Sequence, residues 1–283
     1  MQINENNWDI VIVPERKWYE LNLKEVYRYK DLILLFVKRS FTAQYKQTIL
    51  GPLWFIINPL LSTLVSTIIF GGIAGIESDG VPYFLFYLCG YTLWNYFSDC
   101  VLQTSSTFTA NAGIMGKVYF PRLTMPISAV MFAAINMLII FVMSIVTIVI
   151  YAFHGYIVNI SVNIILIPIF MLQTAVLGLG VGIIVSALTT KYRDLTILVS
   201  FGLQLWMYLT PVVYPMSEVG GMLKNLILLN PMSVIIQNYK YVLLGSGEFE
   251  ISYWMLSIVT TIIIFMSGVL LFNKVERTFM DTV

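Results

Sequence analysis

Residues 123–153 read LTMPISAVMFAAINMLIIFVMSIVTIVIYAF, a run with no charged side chain anywhere in it. A bilayer core of about 30 Å is crossed by about 20 apolar residues wound as helix, so this run is long enough to span and to tilt or project beyond the lipid. Working outward, comparable runs occur at about 49–75, 83–103, 160–188, 195–213 and 251–272. Six such segments predict an all-α integral membrane protein of six transmembrane helices. The composition agrees. The chain of 283 residues is 58% hydrophobic and 11% charged, where a soluble domain carries about a quarter charged residues. A net charge of +1 gives no reason to expect nucleic acid as a partner.

The placement of the basic residues sets the orientation. Arg16, Lys17, Lys24, Arg28, Lys30, Lys38, Arg39 and Lys46 precede the first run. Lys117 and Arg122 lie between runs two and three, Lys191 and Arg193 between four and five, and Lys274 and Arg277 after the sixth. Of the 16 basic residues only Lys224 and Lys240 fall on the other side. The positive-inside rule therefore puts both ends in the cytoplasm. This divides the chain into a cytoplasmic segment 1–48, a six-helix membrane domain 49–273 and a cytoplasmic tail 274–283. The first 48 residues open no apolar run behind a short basic start, so no secretory signal peptide is expected.

Two segments are read as helical without spanning. In residues 21–48, Leu23, Val26, Tyr27, Leu34, Val37, Phe41 and Tyr45 recur at three- and four-residue steps among frequent lysines and arginines. That pattern predicts an amphipathic helix lying along the membrane interface. It serves equally as an anchor for the first span or as a platform for a partner. Between Pro211 and Tyr241, Pro211, Pro215, Gly220, Gly221 and Pro231 interrupt any long helix, yet 222–229 and 232–241 are mostly apolar. Two short re-entrant helices at the external face fit, because irregular backbone at membrane depth must be covered by protein or line a cavity.

Little points to chemistry. Gly113-Ile-Met-Gly116-Lys117-Val118 resembles a phosphate loop only in its Gly-Lys pair. Asn111 stands where the first glycine is needed, and Val118 where a hydroxyl must hold magnesium. His154 is the only histidine, so no zinc site of the Cys/His kind can be built. Cys89 and Cys100, about 16 Å apart along one helix, read as buried free thiols. Asp99, the one acid within a run, falls towards the cytoplasmic end of the second span beside Ser98, Gln103, Thr104 and Ser105. It reads as lining an inner vestibule or a solvated helix end rather than as a proton relay. No metal or cofactor is expected on this chain, and any energy for transport must come from a partner.

Four blocks carry a resemblance. They are 45–54 (YKQTILGPLW) with Asn58-Pro59-Leu60; Asn111 with 116–122 (GKVYFPR) and Pro126; 192–195 (YRDL); and 210–215 (TPVVYP) with Asn230-Pro231-Met232. In this order, each on its expected side, they resemble the membrane (permease) subunit of polysaccharide ABC exporters, the family that exports O-antigen, teichoic acid and capsule. The resemblance implies a homodimer in the bacterial inner (cytoplasmic) membrane, joined to two copies of a separate ATPase that binds ATP and magnesium. The cargo would be a polysaccharide on a polyprenyl-diphosphate lipid. By position, Met115, Gly116, Lys117, Val118, Tyr119, Phe120, Pro121 and Arg122 would form the main coupling element. Tyr192, Arg193 and Asp194 would be a second contact, although Arg193-Asp194 reads equally well as a helix cap with a local ion pair. Tyr45 and Lys46 would also rest on the ATPase.

Tyr83, Tyr87, Tyr91 and Trp94 share one stripe of the second span and would line the glycan channel, or else serve as the aromatics that belong at membrane interfaces and in packed cores. Pro211, Tyr214, Pro215, Asn230, Pro231 and Met232 would form an external gate. Lys240 stands near a position where relatives are expected to carry arginine, and keeps the charge without the forked geometry. Residues 1–20 extend beyond the resemblance. An ATPase-independent flippase of lipid-linked glycan would call for internal repeats or mid-membrane charges, and a membrane enzyme of glycan assembly for paired carboxylates. No convincing repeat is found, Asp99 is the one candidate for such a charge, and the external acids are scattered rather than paired.

Overall fold

The computed structural model describes residues 23–46, 48–115, 120–156, 162–189 and 194–279. Among these residues the chain is helical, without strands. α1 (Leu23–Arg28) and α2 (Lys30–Tyr45) precede α3 (Trp54–Ser66), which continues as a π-helix over Thr67–Ile73. α4 (Tyr83–Ser105), α5 (Thr107–Met115), α6 (Thr124–Phe153) and α7 (Ile167–Thr189) follow. α8 (Leu195–Tyr208), α9 (Gly221–Leu229), α10 (Pro231–Leu244) and α11 (Ile251–Phe279) complete the chain.

Four helical stretches are long and apolar enough to cross a membrane: Gly51–Ile73, Thr124–Phe153, Asn163–Thr189 and Ile251–Lys274. The other two apolar runs of the sequence differ, each for a physical reason. α4 has 23 residues, but its tyrosines, Asn95, Asp99 and Gln103 lower its hydropathy. It tolerates them because it is the central helix, packed against α3, α6, α7, α8 and α10. α8 has 14 residues, about 21 Å of helix at 1.5 Å per residue. The run expected to continue to Val213 leaves the helix at Leu209, ahead of Pro211.

Glycines set the spacing around α7. A Cβ on Gly178 or Gly182 would stand 2.6 Å from the Cβ of Cys100 or Thr104 on α4. On the opposite face, a Cβ on Gly180 would stand 2.8 Å from the Cα of Phe265, and one on Gly268 2.7 Å from the carbonyl of Gly180. Small residues allow such close backbone approach, which drives packing where lipid offers no hydrophobic gain. A polar chain adds to it: Trp254 Nε1 donates to Gln173 Oε1 (2.9 Å), Gln173 Nε2 to Ser257 Oγ (2.8 Å), and Ser257 Oγ to the Pro231 carbonyl (3.1 Å). Cys89 and Cys100 are free and buried.

The segment expected to lie along the interface is helical. α2 packs on α6 and, with α1, buries Val26, Ile33 and Phe36, with Val37 and Phe41 partly covered. Tyr27 and Leu34 point outward with Leu35. Contact with α6 and with Phe120 selects the 26–33–36 face, leaving a second apolar strip among Lys30, Lys38 and Arg39. The two short helices expected near residues 222–229 and 232–241 are α9 and α10. α9 exposes Met222, Leu223, Leu226 and Leu229, whereas α10 is buried along nearly its whole length.

Candidate functional site

Three places gather the side chains of interest. The first is the end of the bundle where the basic residues lie. Phe36 of α2 and Phe120 face each other with ring centroids 5.8 Å apart. They share an apolar cluster with Met125 of α6, Ile183 of α7 and Val269 and Phe272 of α11. Arg39 donates to Asn111 Oδ1 on α5 (3.3 Å), and Asn111 donates back to the Thr107 carbonyl (3.0 Å). α2, α5, residues 120–122 and the ends of α7 and α11 are thus joined. Thr189 ties α7 to α4 through the Ser105 carbonyl (2.8 Å).

Of the coupling residues named from sequence, Phe120 is buried and Pro121 and Arg122 are half-buried beside it. Met115 ends α5. Lys46 is exposed and closes α2 through its backbone N–H to the Thr42 carbonyl, next to Tyr45. Asp194 is exposed at the N-cap of α8, where its side chain makes no capping hydrogen bond. Gly116, Lys117, Val118, Tyr119, Tyr192 and Arg193 lie outside the described residues.

The second place is the opposite end. Asn230 caps α10, accepting from the Met232 N–H (3.1 Å), and donates to Thr210 Oγ1 (3.0 Å). Pro231 begins α10, where its missing N–H costs nothing, and Met232 is fully buried. Lys240 reaches back from α10 to donate to the carbonyls of Pro211 and Val212, each at 2.9 Å. Its ammonium also stands 3.4 Å from the centre of the Phe86 ring. Gly90 allows this, since a Cβ there would lie 2.7 Å from the Val212 carbonyl oxygen. Pro211, Tyr214 and Pro215 line a cavity of about 270 Å³ at this end with Lys240, Asp79 and Glu248. Position 240 was noticed in the sequence for its charge, but its two carbonyl partners become visible only with the chain folded.

The third place is a polar crevice around Asp99, the one acid the sequence places within an apolar run. Trp54 and Asn58 of α3, Asn95, Asp99 and Gln103 of α4, and Asn136 of α6 line a cavity of about 260 Å³. Asn136 Nδ2 donates to Asp99 Oδ2 (3.0 Å). The available signal was the four-residue step of Asn95, Asp99 and Gln103, which places them on one face of a helix.

The aromatic stripe of α4 packs against α3. Tyr87 and Tyr91 are buried, and Tyr83 stacks on Tyr87 with centroids 6.4 Å apart. The hydroxyls of Tyr91 and Ser66 are 2.7 Å apart. Gly71, in the π-segment, makes room for the Tyr83 ring, which a Cβ would meet at 2.7 Å. Trp94 is buried beside Phe97, whose ring meets Trp206 of α8 edge-on.

The family model of ABC-2 type transporters matches residues 31–244, from the first turn of α2 to the last residue of α10. The chain belongs to the ABC-2 type transporter family. Curated relatives of this ABC-2 type chain include two proteins of Klebsiella pneumoniae named O-antigen export system permease protein RfbA. They are 29% and 27% identical over 252 residues, which is 89% of this chain and 94% of each relative. A Myxococcus xanthus protein of the same name is 29% identical over 220 residues, 77% of this chain and 82% of its own length. The ABC-2 match takes in the polar crevice whole, and the other two places apart from Val269 and Phe272 of α11 and the Glu248 edge of the cavity beside Lys240.

Proposed function

We propose that this chain is the channel-forming membrane subunit of an ATP-driven exporter. It would carry a polyprenyl-diphosphate-linked polysaccharide, O-antigen-like or teichoic-acid-like, from the cytoplasm across the inner membrane. The observation that carries this reading is similarity to O-antigen export permeases over nearly the whole length of both chains. The joined basic end supports it. A motion delivered to residues 120–122 is handed through the Phe36–Phe120 contact to α2, and through the shared apolar cluster to α6, α7 and α11.

In this reading the basic end faces the cytoplasm and meets two copies of a separate ATPase, which binds ATP and magnesium; this chain is not itself an enzyme. α3, α4, α6, α7, α8 and α11 are the six spans, and both termini are cytoplasmic. α9 and α10 re-enter from the external face and narrow the exit. The transporter is a homodimer. α8 supports a second copy as neighbour, since Leu203 is its only buried residue while Ile197, Leu198, Phe201 and Leu205 face outward.

The test is purification and export. The chain alone should hydrolyse no ATP and should co-purify with an ATPase. Cells lacking either protein should retain lipid-linked glycan inside. Export by this chain in membranes devoid of the ATPase would overturn the reading.

A further inference from the structure

The polar crevice between α3, α4 and α6 is not explained by the fold. Three helices bring hydrogen-bonding side chains to it at helical-turn spacing, with Trp54 and Asn58 four apart on α3 and Asn95, Asp99 and Gln103 four apart on α4. Asp99 lies six residues before the end of α4, about 9 Å along the helix, and Asn95 about 15 Å. The crevice therefore reaches towards the middle of a core about 30 Å thick. Gln103 also lines a second cavity of about 230 Å³ with Arg39 and Asn111, so the polar path continues to the basic end. A carboxylate and several amides open to hydrocarbon would be costly, and such groups mark pathways for polar cargo. One wall stays open: Trp54 and Asn58 are exposed.

The lining selects its ligand. The Asp99 carboxylate disfavours a phosphate. The amides of Asn58, Asn95, Gln103 and Asn136 offer donors and acceptors together. Asn136 uses its N–H₂ on Asp99, which leaves its buried Oδ1 without a donor from the protein. Trp54 adds an indole at the rim. A neutral ring bearing hydroxyls answers each of these: its O–H groups donate to the carboxylate and amide oxygens, its oxygens accept from amide N–H, and its C–H face lies on indole. A bare cation would satisfy the carboxylate and leave the amide N–H groups and the indole without a role. The volume is below the roughly 300–1,000 Å³ of sites for whole small ligands, which suits one ring with the rest of the chain outside.

We propose that this crevice binds one sugar ring of the lipid-linked glycan as it enters from the basic end, with Asp99 and Asn136 as its principal hydrogen-bonding pair. The proposal rests on the exporter reading and names where that exporter first holds its cargo.

The test uses the assembled complex of this chain with its ATPase in nanodiscs. The probes are the polyprenyl-diphosphate-linked glycan extracted from producing cells and bare polyprenyl diphosphate. The wild-type complex should bind the glycan-bearing lipid more tightly. Asp99→Asn, which keeps the shape, should weaken that binding about tenfold, the loss expected for one charge-assisted hydrogen bond, and leave the bare lipid unaffected. Ser62→Trp, filling the crevice from its open wall, should block the glycan-bearing lipid while the complex still assembles and hydrolyses ATP. A wild-type complex with no preference for the sugar-bearing lipid, or variants with the wild-type preference, would overturn the assignment. A wild-type complex that exports no glycan in cells would instead overturn the exporter reading.

Discussion

The rings of Phe36 and Phe120, with centroids 5.8 Å apart, join a helix outside the bundle to the segment that leads into α6. Both rings are buried in a cluster that also holds the ends of α7 and α11. Phe36→Ala should loosen this joint at a cost of about 3 kcal/mol, the lower end for a buried phenylalanine. In the assembled exporter, ATP hydrolysis should continue while glycan moved per ATP falls several-fold. Measuring both on one preparation decides the matter, since a parallel fall in the two would assign Phe36 a merely structural part.

Lys240 is the clasp of the opposite end. Lys240→Met leaves the carbonyls of Pro211 and Val212 without their donor, at about 1–3 kcal/mol for each buried group left unmade. The unfolding temperature should drop, and liposomes carrying the variant should leak small cations that the wild-type protein retains. Lys240→Arg keeps donors in place and should restore much of the stability. Gly90→Ala should act like the methionine variant, because its new Cβ meets the Val212 carbonyl oxygen at 2.7 Å.

The contact of α7 with α11 depends on missing side chains. Gly180→Ala and Gly268→Ala each push a methyl into the facing backbone, and overpacking of this kind costs about 1–3 kcal/mol. Both variants should accumulate poorly in membranes and melt earlier in detergent. Gly113→Ala is the control: nothing lies within 4 Å of its Cβ position. It sits within α5, so it should be neutral or stabilising by up to about 1 kcal/mol.

Cysteine labelling tests the six-span topology. Lys46 and Glu218 are exposed, and the native thiols Cys89 and Cys100 are buried, so the background should be low. A membrane-impermeant maleimide should label Glu218→Cys on spheroplasts and Lys46→Cys only after lysis. Labelling of both from one side would leave an even number of crossings between them and remove the proposed count.

The two aromatic partners illustrate how much could be read in advance. Phe120 stands in a block recognisable by its neighbours, GKVYFPR. Phe36 was missed, because the periodicity of α2 supports two faces and only packing on α6 chooses between them. The crevice divides likewise. Asp99 stood out as a lone acid in an apolar run. Asn58 was noticed only within the Asn58-Pro59-Leu60 block and Asn136 not at all, since single amides in spans are ordinary, and nothing in one dimension brings residues about forty positions apart to one wall.

Hydropathy and the placement of lysine and arginine were enough to establish a helical membrane protein, its long apolar spans and a basic end. Those properties follow from each residue's own transfer between water and lipid, which needs no knowledge of neighbours. Which face of α2 is buried, why Asn95, Asp99 and Gln103 are sheltered on a central helix, and what Lys240 holds were decided only by tertiary structure. Each depends on side chains from separate helices meeting within hydrogen-bond or van der Waals distance, which the packing of α2 on α6 and of α4 among α3, α6, α7, α8 and α10 brings about.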